Sequence, residues 1–145
     1  MKRRTFLAMA SCIALLVGMF AVVAPGVLLE SKGVTLNAGT IVWMREVGVL
    51  LVAMGITAFL IRGHEDSPTL KAFLIGNIVV QLGLLTIEPI AYANGVITKL
   101  SGIVPNTVLH VLLAGGFAFY AVQIRKIGKV SGYGDQRRVE SGHHS

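Results

Sequence analysis

Four long apolar stretches divide the chain, and short polar segments separate them. The stretches run over residues 6–29, 40–61, 70–91 and 103–124. Each is close to the ~20 residues that a helix needs to cross a hydrocarbon layer of ~30 Å. Backbone N–H and C=O groups in lipid must be bonded within their own segment, so such stretches are helical. The pattern predicts an all-α bundle of four transmembrane helices, one domain over residues 1–126.

The polar segments carry residues that are typical of helix ends. Ser67 followed by Pro68 predicts an N-cap and the first helical position of the third helix. Pro105 fits the first turn of the fourth helix, where a missing N–H costs little. Residues 127–145 are rich in Gly, Lys and Arg, which predicts a polar, disordered cytoplasmic tail.

Composition agrees with a membrane protein. The chain is 54% hydrophobic and 14% charged, with a mean hydropathy of +0.73, whereas soluble domains carry more charge and less apolar bulk. The formal net charge is +6. Its basic residues lie in the short polar segments and not on one soluble face, so we expect no nucleic-acid partner. The apolar run of the first stretch is too long for a signal peptide, and we interpret it as a retained helix.

Lysine and arginine predict the orientation of the bundle. Ten of them fall in the N-terminal segment, the second connection and the C-terminal segment, and only Lys32 and Lys99 fall in the other two connections. Because cytoplasmic segments carry the excess of Lys and Arg, both termini are predicted to be cytoplasmic. The chain is therefore expected to be a multi-pass protein of the cell inner (plasma) membrane.

Several polar residues fall inside the apolar stretches, and this orientation places most of them in the outer half. Gln81 and Glu88 are seven residues apart, and Asn106 and His110 are four apart, so each pair shares one helix face. A charge near mid-bilayer costs at least ~2.5–3.5 kcal/mol, so it usually faces the bundle interior. We expect Arg45 to point inward and pair with Glu88.

These residues predict a polar pocket in the outer half of the bundle, with Gln81 near the midplane as its floor. Alternatives stay open for each: an ion pair that only fixes helix register, an arginine that reaches the headgroups, or a histidine that is a satisfied interior hydrogen-bonder. No tight ligand motif is present, so we expect no metal, and no nucleophile–base pair supports a catalytic residue. The candidate ligand-binding residues are Arg45, Glu46, Gln81, Glu88, Asn106 and His110.

Small residues predict where helices approach closely. Ala10, Ala14 and Gly18 form one stripe on the first helix, and Gly48 and Gly55 form another on the second. Four short helices enclose little volume, so the glycines of the second helix could serve a homodimer.

The segments AVVAPGVLLE, VWMREVGVLLVAMGITAFLIR, DSPTLKAFLIGNIVVQLGLL and NTVLHVLLAGGFAFYAVQIRK resemble those of DoxX-like four-helix bacterial membrane proteins. The resemblance covers about residues 5–126 and rests on helix count, Pro25, Arg45 with Gly48, and the histidine of the fourth helix. It implies a four-helix bundle. It implies no settled activity, because the family includes many domains of unknown function.

Three kinds of function fit these features. The first is a pocket that binds a lipid, a quinone or another small amphipathic molecule, in which Arg45 holds an anionic or carbonyl group and His110 or Glu88 handles a proton. The second is an accessory or structural subunit of a membrane complex, without chemistry of its own. The third is a small proton-coupled transporter. Membrane lipids, a second copy or a complex partner are the expected partners, and no cofactor is identified.

Overall fold

The computed structural model describes the backbone of residues 1–140 and the side chains of residues 1–124. Every regular element in this part of the chain is helical. The elements are α1 Arg3–Val23, α2 Pro25–Ser31, α3 Ala38–Ile61, α4 Pro68–Ala93, a short 3₁₀ turn Leu100–Gly102, and α5 Val104–Glu140. Four segments are long and apolar enough to cross a membrane: Arg3–Val23, Ala38–Ile61, Pro68–Ala93 and Leu100–Ile124. The predicted all-α architecture with four helices of spanning length is confirmed.

The first apolar stretch is two helices and not the continuous one expected over 6–29. α1 ends at Val23, and Ala24 leaves the helical region with φ −128° and ψ 55° before α2 begins at Pro25. The cause is Pro25, which has no N–H to donate and whose ring disfavours helical geometry in the residue before it. The chain therefore turns before the short α2.

The last helix is longer than expected. The backbone of α5 continues to Glu140, past the predicted end of the fourth helix at residue 124. The predicted tail over 127–145 thus begins within helical backbone, and its last five residues, 141–145, lie outside the described residues.

Side-chain caps begin two of the spanning helices. Asn37 Oδ1 accepts a hydrogen bond from the Thr40 N–H at 2.9 Å, and Thr40 Oγ1 accepts one from the Asn37 N–H at 3.1 Å. Ser67 Oγ accepts from the Leu70 N–H at 3.1 Å, with Pro68 first in α4. The N-cap predicted at Ser67 is confirmed. Each cap satisfies an N–H that has no partner within its helix.

α1 and α3 pack closely along glycines. A Cβ atom on Gly18 would lie 2.8 Å from the Gly48 carbonyl oxygen, and one on Gly55 would lie 3.1 Å from the Leu15 nitrogen. Ser11 Oγ also donates to the Gly55 carbonyl oxygen at 2.7 Å. The glycine face of α3 is therefore occupied by α1 and is not free for a homodimer contact. Whether the chain forms a homodimer stays a prediction.

α4 packs against α5, and an apolar core joins this pair to α1. The core lies at the end of the bundle that holds the N-terminus and the α3–α4 connection, called here the terminal end. Phe6 contacts Phe117 edge-on, with ring centroids 5.0 Å apart. The buried members of this core are Phe6, Leu7, Ala10, Leu70, Leu74, Phe117, Tyr120, Ala121 and Ile124.

The outside of the bundle is as apolar as its inside. On α3 alone, Val49, Leu50 and Leu60 are each more than half exposed. A helix that is hydrophobic all round belongs in a large core or in a membrane, and the core formed within residues 1–124 leaves this face of α3 exposed. The four candidate spanning helices therefore suggest a multi-pass membrane protein.

Candidate functional site

Two connections interlock at the end of the bundle opposite the terminal end. The backbone N–H groups of Thr98 and Lys99 both donate to the Lys32 carbonyl oxygen at 3.1 Å. Thr98 Oγ1 donates to the Gly33 carbonyl oxygen at 2.9 Å, and Lys99 Nζ donates to that of Glu30 at 3.0 Å. We call residues 30–37 and 94–103 the cap, because together they cover this end of the bundle.

Two glycines allow the cap connections to approach this closely. Gly33 has a positive φ of 69°, and a Cβ atom there would lie 2.1 Å from Thr98 Oγ1. A Cβ atom on Gly102 would lie 2.8 Å from the Ser31 carbonyl oxygen. A side chain at either position would force the connections apart, so the cap depends on both glycines.

Lys32 reaches from the cap into the bundle and forms an ion pair with Glu88 of α4. Its Nζ contacts Glu88 Oε1, and Asn106 Nδ2 of α5 donates to the same oxygen at 2.9 Å. The Lys32 and Glu88 side chains are 16% and 13% exposed. Glu88 therefore joins the cap, α4 and α5 through one oxygen.

The two carboxylate oxygens of Glu88 differ in their hydrogen bonding. Glu88 Oε2 is buried and has no hydrogen-bond partner among the described residues. Buried polar atoms in proteins are nearly always hydrogen-bonded, so an unpaired one is an acceptor available to a ligand or a water.

A second polar contact joins α4 and α5 deeper in the bundle. His110 Nδ1 lies 2.6 Å from Gln81 Oε1. A carboxamide oxygen only accepts, so in this arrangement Nδ1 carries the proton and the neutral ring keeps Nε2 as an acceptor. Gln81 is buried at 8% exposure, and His110 is half-buried. Asn77, one turn further, donates to the Phe73 carbonyl oxygen of its own helix at 3.0 Å and joins neither contact.

We call the five residues of these two contacts the polar cluster: Lys32, Gln81, Glu88, Asn106 and His110. Four of them were expected to lie together from helical spacing and depth. Lys32 was not, because its place in a short polar connection predicts only the orientation of the bundle. The signal that could have found it is its position as one of two basic residues near the lysine-poor end of the bundle.

Arg45 and Glu46 do not join the polar cluster. Both are exposed on α3, on a surface that they share with Val42, Val49 and Leu50. The predicted Arg45–Glu88 pair is wrong, since the cation bound to Glu88 is Lys32. Gly48 packs on α1, and Glu46 lies two residues before it, about 200° around the helix, so it must face outward.

The cluster is suited to hydrogen bonding and proton handling. Within residues 1–124, no three His, Cys, Asp or Glu side chains lie close enough together to hold a metal ion.

Comparisons of the chain with protein-family models, with curated proteins and with solved structures find no match. The resemblance to DoxX-like proteins therefore stays a hypothesis that rests on the sequence segments alone.

Proposed function

We propose that this chain is a small, DoxX-like protein of the bacterial inner membrane, whose polar cluster binds the polar end of a small amphipathic molecule. The termini would be cytoplasmic and the cap would face outward. Support for this orientation comes from Lys2, Arg3 and Arg4 at the terminal end, with Arg62 and Lys71 near the α3–α4 connection. Both lysines of the cap already hold partners within the fold, Lys32 with Glu88 of α4 and Lys99 with the Glu30 carbonyl oxygen.

The observation that carries the proposal is the unpaired Glu88 Oε2. Leaving a buried acceptor without a donor costs free energy, and a ligand hydroxyl that donates to it recovers that cost. His110 Nε2 offers a second acceptor, or a donor once the ring is protonated. The same cluster therefore provides groups for both a hydroxyl and a carbonyl.

The charge of the cluster favours a neutral ligand. The positive charge of Lys32 is balanced by Glu88, so an anionic headgroup gains little net attraction there. A quinol, a quinone or a hydroxyl-bearing lipid headgroup needs only hydrogen bonds, and its apolar part would lie against the hydrophobic surface of the helices. The role expected of Arg45, to hold the polar group of the ligand, falls in this proposal to Lys32, Asn106 and His110.

A proton-coupled transporter fits less well. Between the cluster and the terminal end, the amide of Asn77 is bonded to its own helix. The rest of this region is filled by Leu7, Leu74 and Phe117, which are 0%, 0% and 2% exposed. A proton path through this region would need polar side chains or water, and close-packed aliphatic and aromatic groups exclude both.

A structural subunit is the second candidate, and one arrangement favours it. Glu88 Oε1 receives both Lys32 and Asn106, and Gln81 is bonded to His110, so the cluster also fastens the cap to α4 and α5. In this case the cluster stabilises the fold and binds nothing.

Binding of a short-chain benzoquinol to the purified protein in nanodiscs separates these functions. In Glu88→Gln the amide nitrogen replaces an acceptor, so we expect to lose one hydrogen bond to a charged group, about 1.5–3 kcal/mol. Affinity should fall about ten- to a hundredfold. The matched control is Glu30→Gln, a carboxylate of the cap whose side chain is exposed, and it should bind like wild type.

Native mass spectrometry of the same preparations reports any amphiphile that remains bound from the cell. If Glu88→Gln fails to fold by circular dichroism, the paired variant Lys32→Gln with Glu88→Gln removes both charges together and should also lose binding. Equal binding, or equal absence of binding, in wild type, Glu30→Gln and the folded Glu88 variants would leave the structural role as the function.

A further inference from the structure

α3 carries an exposed seam on the side that faces away from α1. Its residues are spaced four, three, four, three and four apart, the alternation with which seam residues of two helices pack side by side with a left-handed twist. The seam consists of Val42, Glu46, Val49, Ala53, Ile56 and Leu60, all of which are exposed.

Opposite charges lie next to each other on this seam. Glu46 is in the seam, and Arg45 flanks it; both are exposed, and neither forms an ion pair within residues 1–124. Arg45 follows the first residue of α3 by seven positions, which is about 10 Å along the helix axis. Charged groups at such a depth usually face protein or water and find a partner. Glu46 has a short side chain and reaches the headgroup layer less easily than Arg45.

We propose that α3 binds α3 of a second copy of this chain, in parallel and about a two-fold axis. Each Glu46 then lies against the partner's Arg45. In a parallel helix pair, a seam residue enters a hole formed by four residues of the facing helix, among them the residue just before its own counterpart. For Glu46 that residue is the partner's Arg45.

A two-fold axis allows the adjacent Arg45 and Glu46 of one copy to pair with the Glu46 and Arg45 of the other. A two-fold contact is isologous, so the pair between one copy's Glu46 and the other's Arg45 occurs twice. A foreign helix would need a matching Arg and Glu at the same depth, whereas a second copy supplies both. Two copies in one membrane also share one topology, which keeps their α3 helices parallel.

The rest of the seam suits close helix contact. Ala53 is small, which allows two helices to approach near the middle of the seam. The opposite face of α3 is already bound to α1 through Gly48 and Gly55, so both faces of α3 are used without conflict. The seam includes no residue of the cap or of the polar cluster, and the dimer does not depend on the proposed ligand.

Disulfide cross-linking in native membranes tests the seam. In a Cys12→Ala background, Val49→Cys places a thiol in the seam. Val47→Cys places one on the same helix, about 200° around it, at a position that is also exposed. Mild oxidation should cross-link the Val49→Cys protein to a dimer several-fold more than the Val47→Cys protein. Equal cross-linking of both would indicate random collision and overturn the proposal.

Charge exchange tests the pairing itself. In the Val49→Cys protein, the additional change Glu46→Arg sets two positive charges against two others, and the cross-linked dimer should largely disappear. The exchanged variant, Arg45→Glu with Glu46→Arg, restores reciprocal pairs and should recover the dimer. Circular dichroism and membrane yield show whether each variant is folded. Loss of the dimer in both, with the fold intact, would overturn the pairing, as would cross-linking of Val49→Cys to a different protein.

Discussion

At the scale of single residues, Glu88 is a mostly buried carboxylate whose two oxygens have different surroundings. One of its oxygens accepts from Lys32 and Asn106, and the other is buried without a partner. A carboxylate taken from water needs its charge balanced, and Lys32 provides that balance. The same ion pair connects the cap to α4, so the proposed ligand binding and the stability of this end of the bundle depend on the same two side chains.

Loss of one partner of this pair should destabilise the protein more than loss of both. Removing one member of a buried pair typically costs about 3–5 kcal/mol, because the other charge stays buried and unpaired. Lys32 and Glu88 keep 16% and 13% exposure, so we expect Lys32→Met to cost about 2–3 kcal/mol. Lys32→Met with Glu88→Gln should recover most of this loss.

Unfolding of the detergent-solubilised protein by sodium dodecyl sulfate measures both free energies. Lys71→Met, a change at a half-buried lysine of the terminal end, is the control for removing a lysine. Costs of Lys32→Met and Glu88→Gln that simply add in the double variant would mean that the two side chains are not coupled.

At the scale of elements, the α1–α3 contact is made by backbone. A Cβ atom on Gly48 would lie 2.8 Å from the Gly18 carbonyl oxygen and 2.9 Å from the Val22 nitrogen. Backbone atoms cannot rotate away as a flexible side chain can, so even one methyl group would push the two helices apart. This close contact decides which face of α3 is turned away from the bundle.

Alanine at two glycines should therefore give opposite results. Gly48→Ala should destabilise the bundle by about 1–3 kcal/mol through overpacking. Gly76→Ala, in the interior of α4 with open space around the added methyl group, should stabilise it by about 0.5–1 kcal/mol, because alanine loses less entropy than glycine in a helix. The two unfolding free energies in the same detergent compare them directly. A Gly48→Ala protein as stable as the Gly76→Ala protein would show that α1 and α3 are further apart than described.

At the scale of the whole molecule, the bundle has two unlike ends. The terminal end contains the packed aromatic and aliphatic core, including Phe6 and Phe117. The opposite end contains the cap and, beneath it, the polar cluster. Under the proposed function, a ligand would reach the polar cluster from the cap end, since the packed core closes the other end.

The orientation of these ends is testable with thiols. In a Cys12→Ala background, Lys99→Cys lies in the cap and Gly63→Cys lies in the α3–α4 connection, and both positions are exposed. A membrane-impermeant maleimide added to intact spheroplasts should label Lys99→Cys and leave Gly63→Cys unlabelled until the membrane is opened. The reverse pattern would place the cap, and with it the polar cluster, on the cytoplasmic side.

The sequence by itself determined the four helices of spanning length and which polar residues share a helix face. The helices follow from the length of the apolar stretches and from the cap at Ser67 and Pro68. The shared faces follow from the spacing of Gln81 with Glu88 and of Asn106 with His110. All of these features depend on local chemistry and helix geometry, which neighbouring residues specify. Only the tertiary structure decided which polar residues meet. Glu46 turns outward because Gly48 packs on α1, and Lys32 reaches Glu88 because its connection is bonded to Thr98 and Lys99. Those contacts join residues far apart in the chain, and no local pattern specifies which helix face will be covered.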